Sequence, residues 1–386
     1  MKKIKPALSI EINQLVYNMR RAGEKITALS LGEAFFDIPL YPFDDLPFPD
    51  IYHYTDSRGI LQLREKLAEY FQKTYEVSFD PENEIIVTGG SKIAVYMALL
   101  ALINPGDEVI IPDIEYPSVM VLALHLRDTY GVRLRTVAIS PTESHATILT
   151  KIESAITDRT KLIFASHIHY LNGLRMPGKE ICALAHSHGA EVLFDGAQGL
   201  VHVNLDLQDM DIDYYSMPGQ KWLLGPDGIG ALYIKESRIS KLRPRFVSSR
   251  AAKTWDALGT YEVDTDSIGK FRLTTTSAPV KAGFKEALRF VQEDLGGVPE
   301  VDHGDLALPA CRAHRGAVEE GFSQAKDVLE GIAKISQGVT ADIDETLVLV
   351  MKGIDDFAEG KRGVLAATDN APPDSQVEQP QDLLAI

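Results

Sequence analysis

From Ile60 to Ile234, short runs of β-branched and other apolar residues alternate with longer stretches that repeat apolar residues at helical spacing. The short runs predict strands, and the longer stretches predict the helices that connect them. This alternation is typical of crossover units, so we expect an α/β fold with a mostly parallel sheet flanked by helices. The predicted strands are Glu84–Thr88, Glu108–Ile111, Leu134–Ala138, Lys161–Ser166, Glu191–Asp195, Ile212–Ser216 and Gly230–Ile234, and the predicted helices include Leu61–Glu76, Ser91–Ile103, Ser118–Tyr130 and Lys179–His188.

The pattern changes near Gly297, where the alternation of strands and helices ends. Apolar residues at helical spacing predict two amphipathic helices around residues 318–332 and 343–357, in a small helical domain over 297–370. Residues 371–386 are rich in Pro, Gln and Asp, which predicts a disordered tail. The remaining predicted parts are a large domain over 56–296 and an N-terminal arm over 1–55 that contributes to the small domain. The Ser91–Ile103 helix is apolar nearly all round, so we expect it at the centre of the large domain.

The charge distribution supports the same boundary and excludes some classes of partner. The chain has 386 residues and a net charge of −16. Residues 297–386 hold 7 Lys/Arg against 17 Asp/Glu and only two of the 30 aromatic residues. An acidic protein is poorly suited to binding nucleic acid or an anionic membrane. The sequence shows no apolar run of membrane-spanning length and no signal peptide, and its two cysteines suit a reducing compartment, so we predict a cytoplasmic protein.

Polar residues follow four of the predicted strands. They are the turn Thr88-Gly89-Gly90-Ser91, the segment Ser166–Gly173 with its two histidines and Asn172, the tetrapeptide Asp195-Gly-Ala-Gln198, and the segment Gly219-Gln220-Lys221-Trp222. In open α/β sheets, ligands bind beyond the carboxyl ends of the strands. We therefore expect these segments to converge on one pocket. The two histidines, two positions apart, could also be metal ligands, but we favour a pocket role and predict no metal.

Each of these features, taken alone, also has a simpler structural explanation. The Gly-Gly turn could be only a tight connection, or its backbone N–H groups and the following helix could bind a phosphate. Asp195 could merely cap a helix. Lys221 could be a solvated surface residue, but its apolar neighbours favour an amine that acts as a nucleophile. The combination of all three favours a cofactor site.

These residues carry a family resemblance. Asp195-Gly-Ala-Gln198, followed 26 positions later by Lys221 in GQKWLLGPDGIGALYI, resembles the fold-type I pyridoxal-phosphate enzymes, and most closely the class V aminotransferase group, which includes isopenicillin-N-epimerase-like enzymes and cysteine desulfurases. The segment from Gly106 to Ser118 resembles the same group. Near the N-terminus, Ser30–Glu33 and Tyr54–Arg64 resemble class I/II aminotransferases instead.

The resemblance implies a role for each matching residue. Lys221 would form the internal aldimine, a Schiff base, with pyridoxal 5′-phosphate, and Asp195 would pair with the pyridinium nitrogen. Gln198 and Asn172 would bind the phenolic oxygen, and Tyr116 would stack on the ring. Tyr54 and the pair Thr275-Thr276 would reach the phosphate of a neighbouring subunit, which implies a homodimer with shared active sites. The residues implied to hold the phosphate within the subunit are Gly90, Ser91, Lys92 and Ser216.

The sequence also departs from the class V pattern. Gln220 replaces the usual histidine before the lysine, and Pro218 replaces the usual Ser or Thr three residues before it. Pro218 has no N–H or hydroxyl to donate. No motif identifies the arginine that would bind the substrate carboxylate, and the candidates are Arg272, Arg312, Arg315 and Arg362.

We therefore predict a transferase that acts on an amino acid, with transamination as the leading reaction. The alternatives are a lyase or desulfurase that cleaves a C–S bond, an epimerase of the class V group, and a non-catalytic scaffold that keeps the fold. Cys311 is the cysteine considered as a persulfide carrier, although its context does not resemble that loop. The fold alone does not choose among these reactions.

Overall fold

The structure is a computed structural model that describes residues 8–23 and 55–294, apart from 171, 202 and 273–275. Helix α1 (Leu8–Arg21) belongs to one compact unit, and everything described from residue 55 onward belongs to another. The predicted C-terminal helices, the tail and Cys311 lie outside the described residues. The predicted domain boundaries therefore stay predictions.

A seven-stranded sheet forms the centre of the second unit, in the order β1-β7-β6-β5-β4-β2-β3. Strand β7 runs antiparallel to both of its neighbours, β1 and β6, and the other adjacent pairs are parallel. The sheet confirms the predicted α/β fold, and each of the seven predicted strands is present with ends shifted by no more than two residues. The strands are β1 (Ile85–Thr88), β2 (Glu108–Pro112), β3 (Arg133–Val137), β4 (Thr160–Ser166), β5 (Glu191–Asp195), β6 (Tyr214–Pro218) and β7 (Gly230–Ile234).

Helices flank this sheet, and the four that the sequence predicts are present within one residue at each end. Helix α5 (His145–Ala155), the two helices that follow β7 and a short two-stranded hairpin are additional. Ser144 begins α5 by accepting a hydrogen bond of 3.2 Å from the Thr147 N–H. The remaining elements are α2 (Leu61–Tyr75), α3 (Ser91–Leu102), α4 (Pro117–Tyr130), α5 (His145–Ala155), α6 (Gly178–Ser187), α7 (Glu236–Ile239), β8 (Ala252–Trp255), β9 (Tyr261–Val263) and α8 (Ala278–Arg289), which continues as a π-helical turn, Phe290–Asp294.

Helix α3 lies in the main core, as its apolar sequence predicts, but not along its whole length. Residues from Ala94 onward pack with the apolar residues of β2, β4 and β5. The first turn is different, since Lys92 and Ile93 are exposed and Ser91 is half-buried. The helix therefore begins at the rim of the sheet and ends inside the core, and the rim is where the predicted site lies.

Candidate active site

Three polar side chains stand side by side at the carboxyl ends of neighbouring parallel strands. Ser166 ends β4 and pairs in register with Asp195, the last residue of β5. Asp195 pairs in register with Ser216 on β6. All three residues are buried. The sheet thus brings together, at one edge, the segments that the sequence places at separate strand ends.

Asp195 is held as a buried acceptor. Its Oδ1 atom accepts hydrogen bonds of 3.0 Å from the Ser216 hydroxyl and 3.0 Å from the Ala197 N–H. Burial raises the pKa of Asp195, while the positive charge of Lys221 and these two donors oppose the rise. A buried carboxylate of this kind gains from a cationic partner, and a protonated pyridine nitrogen is such a partner.

Lys221 lies in a tight loop between β6 and β7. The loop is closed by hydrogen bonds of 2.9 Å from Gly219 N–H to the Ile229 carbonyl and 2.7 Å from Gly225 N–H to the Gly219 carbonyl. Leu224 has a φ of 57°, a left-handed conformation that costs energy for a side chain of this kind. The half-buried Lys221 is thereby fixed beside the row of strand ends.

The residue that follows the lysine orients Gln198. The Trp222 Nε1–H donates a hydrogen bond of 2.7 Å to Gln198 Oε1. Because an indole nitrogen can only donate, the atom that it meets must be the carboxamide oxygen. The NH₂ group of the buried Gln198 is therefore turned away from Trp222.

Gln220 adds a buried polar atom next to the lysine. Its Oε1 is buried, and no described group donates a hydrogen bond to it. Gln220 is also the position at which the class V pattern has histidine. A buried acceptor of this kind is costly unless something satisfies it, and a ligand with donor groups would do so.

The Gly-Gly turn has the features of an anion cradle. Gly90 caps α3 with a φ of 101°, and no side chain caps the helix. Thr88 Oγ1 donates to the Gly90 carbonyl at 3.0 Å, which fixes the turn. A Cβ atom on Gly230 would lie 3.1 Å from Ser91 N, so glycine at that position lets β7 pass close to the turn. The uncapped N–H groups suit a phosphate.

Lys92 and Tyr116 are also brought together. The Lys92 Nζ atom lies 5.3 Å above the centroid of the Tyr116 ring. The Tyr170 ring meets Tyr116 edge-on at a centroid distance of 5.4 Å. A lysine and an aromatic ring near the start of α3 suit the phosphate and the ring of the predicted cofactor.

Other candidates are placed differently from the predictions. Asn172 is exposed, and its Oδ1 accepts from the Leu174 N–H at 3.0 Å, within its own turn. Ser216, expected at the phosphate, instead donates to Asp195. Thr276 is half-buried just before α8, whereas Tyr54 and Thr275 lie outside the described residues. The roles predicted for these residues stay untested.

The candidates for a carboxylate-binding arginine do not resolve into one. Arg272 Nε lies 3.7 Å from Asp56 Oδ1, so this arginine already faces a carboxylate. Arg312, Arg315 and Arg362 lie outside the described residues. Among the described residues, no group of three or more His, Cys, Asp or Glu side chains is arranged to hold a metal ion.

His167, the first histidine after β4, is a core residue. His167 Nδ1 lies 3.0 Å from the Tyr215 hydroxyl, and its ring stacks on Phe194 at 5.6 Å. Burial lowers the pKa of His167 to about 3, so the ring is neutral.

Sequence reasoning missed one buried carboxylate at this edge, Glu115. Both of its oxygens accept hydrogen bonds of 2.6 Å from Ser166, one from the N–H and one from the hydroxyl. The signal that could have found it is the position of the carboxylate, three residues after the end of β2 and so at the same edge of the sheet.

The residues at this edge fit pyridoxal phosphate. The uncapped turn suits its phosphate, Asp195 suits its ring nitrogen, Tyr116 suits its ring, and Lys221 supplies an amine for its aldehyde. Within the part of the chain that the structure describes, no helix is long and apolar enough to cross a membrane.

Comparisons with known proteins agree with this fit. The family described as Aminotransferase class-V matches residues 57–303, and a domain of unknown function matches residues 309–357. A probable cysteine desulfurase from Halalkalibacterium halodurans is 28% identical over 336 residues, which are 84% of this chain and 78% of that protein. A cysteine desulfurase from Salmonella newport is 32% identical over 244 residues, 58% of this chain and 59% of that protein.

Two solved structures of one enzyme are similar in fold as well. The cystine C–S lyase C-DES, in complex with its reaction product cysteine persulfide, matches with a TM-score of 0.55 and 25% identity, covering 76% of this chain and 71% of that one. A lysine-to-alanine variant of C-DES with glycine covalently linked to its PLP cofactor matches with a TM-score of 0.54 and 25% identity, covering 74% and 68%.

Proposed function

The chain belongs to the class V aminotransferase family, and we propose that it cleaves the C–S bond of a cysteine-type amino acid. Family membership confirms the resemblance and the cofactor, pyridoxal 5′-phosphate, that the sequence predicts. Transamination, the leading prediction, has less support than its alternative, because the relatives at hand are described as cysteine desulfurases and a cystine C–S lyase. The observation that carries the proposal is that these relatives are described by C–S bond cleavage, while the family match over residues 57–303 spans Asp195 and Lys221.

The residues of the chain divide the work at the site. Pyridoxal phosphate, when bound, supplies an electron sink for negative charge at the substrate α-carbon. Asp195, buried and held at Oδ1 by the Ser216 hydroxyl, would face the ring nitrogen, and its ionised form would stabilise a proton there. The Lys221 amine would hold the cofactor and would act as the general base at the substrate α-carbon. Gln198, oriented by Trp222, directs its NH₂ group away from the indole.

The fate of the sulfur separates two versions of this reaction. In elimination, L-cysteine and water give pyruvate, ammonia and hydrogen sulfide. In desulfuration, L-cysteine gives L-alanine, and its sulfur passes to a protein cysteine as a persulfide. Cys182 is fully buried, and burial raises the pKa of its thiol, so it is not a usable nucleophile. Cys311 is the other cysteine of the chain, and its sequence context does not resemble a persulfide-carrying loop, so we propose elimination.

The decisive experiment measures the products. The loaded protein is incubated with L-cysteine or L-cystine, and pyruvate, alanine and sulfide are quantified. We expect pyruvate and a sulfur product in equal amounts, unchanged in a Cys311→Ser variant and lost in Lys221→Ala. Lys241→Ala, which removes an exposed lysine, is the matched control and should keep full activity. Amino transfer to a keto acid without sulfur release would overturn the proposal and restore transamination, and alanine formation that needs Cys311 would establish desulfuration instead.

We also propose that the enzyme is a homodimer whose sites are shared. The support is the resemblance of Tyr54, Thr275 and Thr276 to residues that reach a neighbouring phosphate. Mixing inactive Lys221→Ala with inactive Tyr54→Phe should restore activity in the mixed dimers, since one of their two sites is intact. No recovery after subunit exchange would contradict shared sites.

A further inference from the structure

A second buried carboxylate, Glu115, lies beside Asp195 at the edge of the sheet. The Glu115 side chain is 0% exposed. Ser166 binds both of its oxygens through hydrogen bonds of 2.6 Å. Ser166 itself pairs in register with Asp195. The carboxylate is therefore fixed to the strand that adjoins Asp195, in a place from which water is excluded.

The two carboxylates act on each other. Burial raises the pKa of Glu115 to about 7, the two hydrogen bonds from Ser166 oppose the rise, and the negative charge of Asp195 adds to it. Near neutral pH, Glu115 thus exchanges a proton that an ordinary glutamate would already have lost. When Glu115 is ionised, its negative charge acts on Asp195 and on any group bound to Asp195.

The histidine that faces Glu115 does not supply a compensating positive charge. His169 Nδ1 lies 3.9 Å from Glu115 Oε1, but burial lowers the pKa of His169 to about 4, so the ring is neutral. A backbone contact with Ile114 opposes this lowering only in part. Burial raises the pKa of Tyr170, and Tyr116 and Glu115 add to this, while the negative charge of Asp113 opposes only in part the lowering of the pKa of His169. The cations at this edge lie against its neighbours: Lys221 faces Asp195, and Lys92 Nζ lies 5.3 Å from the centroid of the Tyr116 ring.

We propose that Glu115 is a positioning residue for the cofactor, which sets by the gain or loss of one proton how much negative charge stands beside Asp195. The proton is exchanged with solvent, and Ser166 holds the carboxyl group in both states. With Glu115 ionised, positive charge on the cofactor and on the nitrogen joined to Lys221 is more stable. With Glu115 neutral, the same positive charge is lost at lower pH. The inference rests on the proposed role of Asp195 at the ring nitrogen, but not on which bond of the substrate is cleaved.

The experiment is a pH titration of the visible absorption of the loaded protein, without substrate. Glu115→Gln keeps an acceptor for Ser166 and removes the charge, so the midpoint should fall by about one pH unit, the effect of a unit charge about 12 Å away at an effective dielectric constant of about 20. Ser166→Ala removes one donor to the ionised carboxylate and should lower the midpoint in the same direction by less. Glu108→Gln is the matched control, because Glu108 is also buried and also accepts from hydroxyl groups, but at the opposite end of the sheet. Its midpoint should equal that of the wild type.

A Glu115→Gln protein that binds the cofactor and titrates as the wild type does would overturn the inference and leave Glu115 a purely structural partner of Ser166. If Glu115→Gln does not fold, the Ser166→Ala protein decides, and an unchanged or raised midpoint there overturns it. Because no substrate is used, a failure of C–S cleavage leaves this result intact. A wild-type protein with no visible band after addition of pyridoxal phosphate would overturn the inference together with the cofactor site.

Discussion

The Ser216 hydroxyl donates a hydrogen bond of 3.0 Å to Asp195 Oδ1 across the adjoining ends of β6 and β5. Ser216 is fully buried, so this bond is shielded from water. A hydrogen bond to a charged acceptor contributes about 1.5–3 kcal/mol. The relationship assigns Ser216 to the orientation and ionisation of Asp195, a role that the sequence did not predict for it.

Replacing Ser216 by alanine should weaken the site without removing it. The loss of one donor raises the pKa of Asp195 further, because the ionised form loses stabilisation while burial stays the same. We expect kcat/KM to fall about 10- to 100-fold, from the magnitude of such a bond, and the affinity for pyridoxal phosphate to fall with it. Steady-state kinetics and a cofactor titration measure both, with Ser187→Ala, an exposed serine on α6, as the control. Unchanged affinity and turnover in Ser216→Ala would contradict the role.

Gly196, directly after Asp195, should tolerate no side chain. A Cβ atom there would lie 2.2 Å from Tyr215 Cε1 and 2.7 Å from the Ser216 carbonyl oxygen. Overpacking of this kind costs about 1–3 kcal/mol or more, so we expect Gly196→Ala to lower the melting temperature by several degrees and to weaken cofactor binding.

Gly89→Ala is the control for this prediction, since a Cβ atom at Gly89 meets nothing closer than 3.8 Å. Its melting temperature should stay near that of the wild type. Equal melting temperatures for the two variants would show that the packing around Gly196 relaxes at little cost.

The strands, the helices and the site's location could be predicted because they follow from local pattern. Apolar runs of five residues separated by helical stretches specify a parallel sheet, and such a sheet places Asp195 and Ser216 at one edge. The antiparallel direction of β7 was not predictable in this way, because a short apolar run reads the same in either direction.

The hydrogen-bond partners of the site's side chains could not be predicted from the sequence. Whether Ser216 faces a phosphate or Asp195 depends on the register between β5 and β6, which no pattern within either strand records. Glu115 was visible within a motif, but its partnership with Ser166 joins residues 51 positions apart. Asn172 was placed in the site by resemblance, whereas its exposed turn is fixed by its own hydrogen bond to Leu174.

Trp222 should matter through its indole N–H. Trp222→Phe keeps an aromatic ring but removes the donor of the 2.7 Å hydrogen bond to Gln198. Because that bond orients the carboxamide, we expect the affinity for pyridoxal phosphate to fall about fivefold to tenfold, the scale of one ordinary hydrogen bond. Fluorescence or absorbance titration measures the affinity.

The chain offers a matched control for this change in its other tryptophan. Trp255 on β8 is 59% exposed, so Trp255→Phe should leave the affinity unchanged. The assignment fails if both variants bind the cofactor as the wild type does, or if Trp255→Phe weakens binding as much as Trp222→Phe.

Glu115 should make the stability of the cofactor-free protein depend on pH near neutrality. Burial raises the pKa of Glu115 to about 7 in the folded chain, so the folded state holds a proton that the unfolded chain releases near its ordinary value. The resulting stabilisation is complete below the unfolded pKa and is lost as the pH rises through the folded pKa. The whole change is about 3 kcal/mol.

Glu115→Gln removes this loss, so the melting temperature of the variant relative to the wild type should rise between pH 5 and pH 7 and level off above that. Glu108 gives the opposite sign and serves as the control. Burial alone would raise the pKa of Glu108, but hydrogen bonds from Thr160 and Thr157 and the partner Arg135 lower it below its ordinary value. Glu108→Gln should therefore lose stability relative to the wild type at neutral pH and regain it only as the pH falls through the folded pKa of Glu108. Parallel melting curves for Glu115→Gln and the wild type across this range would show that Glu115 is ionised at neutral pH like an exposed glutamate.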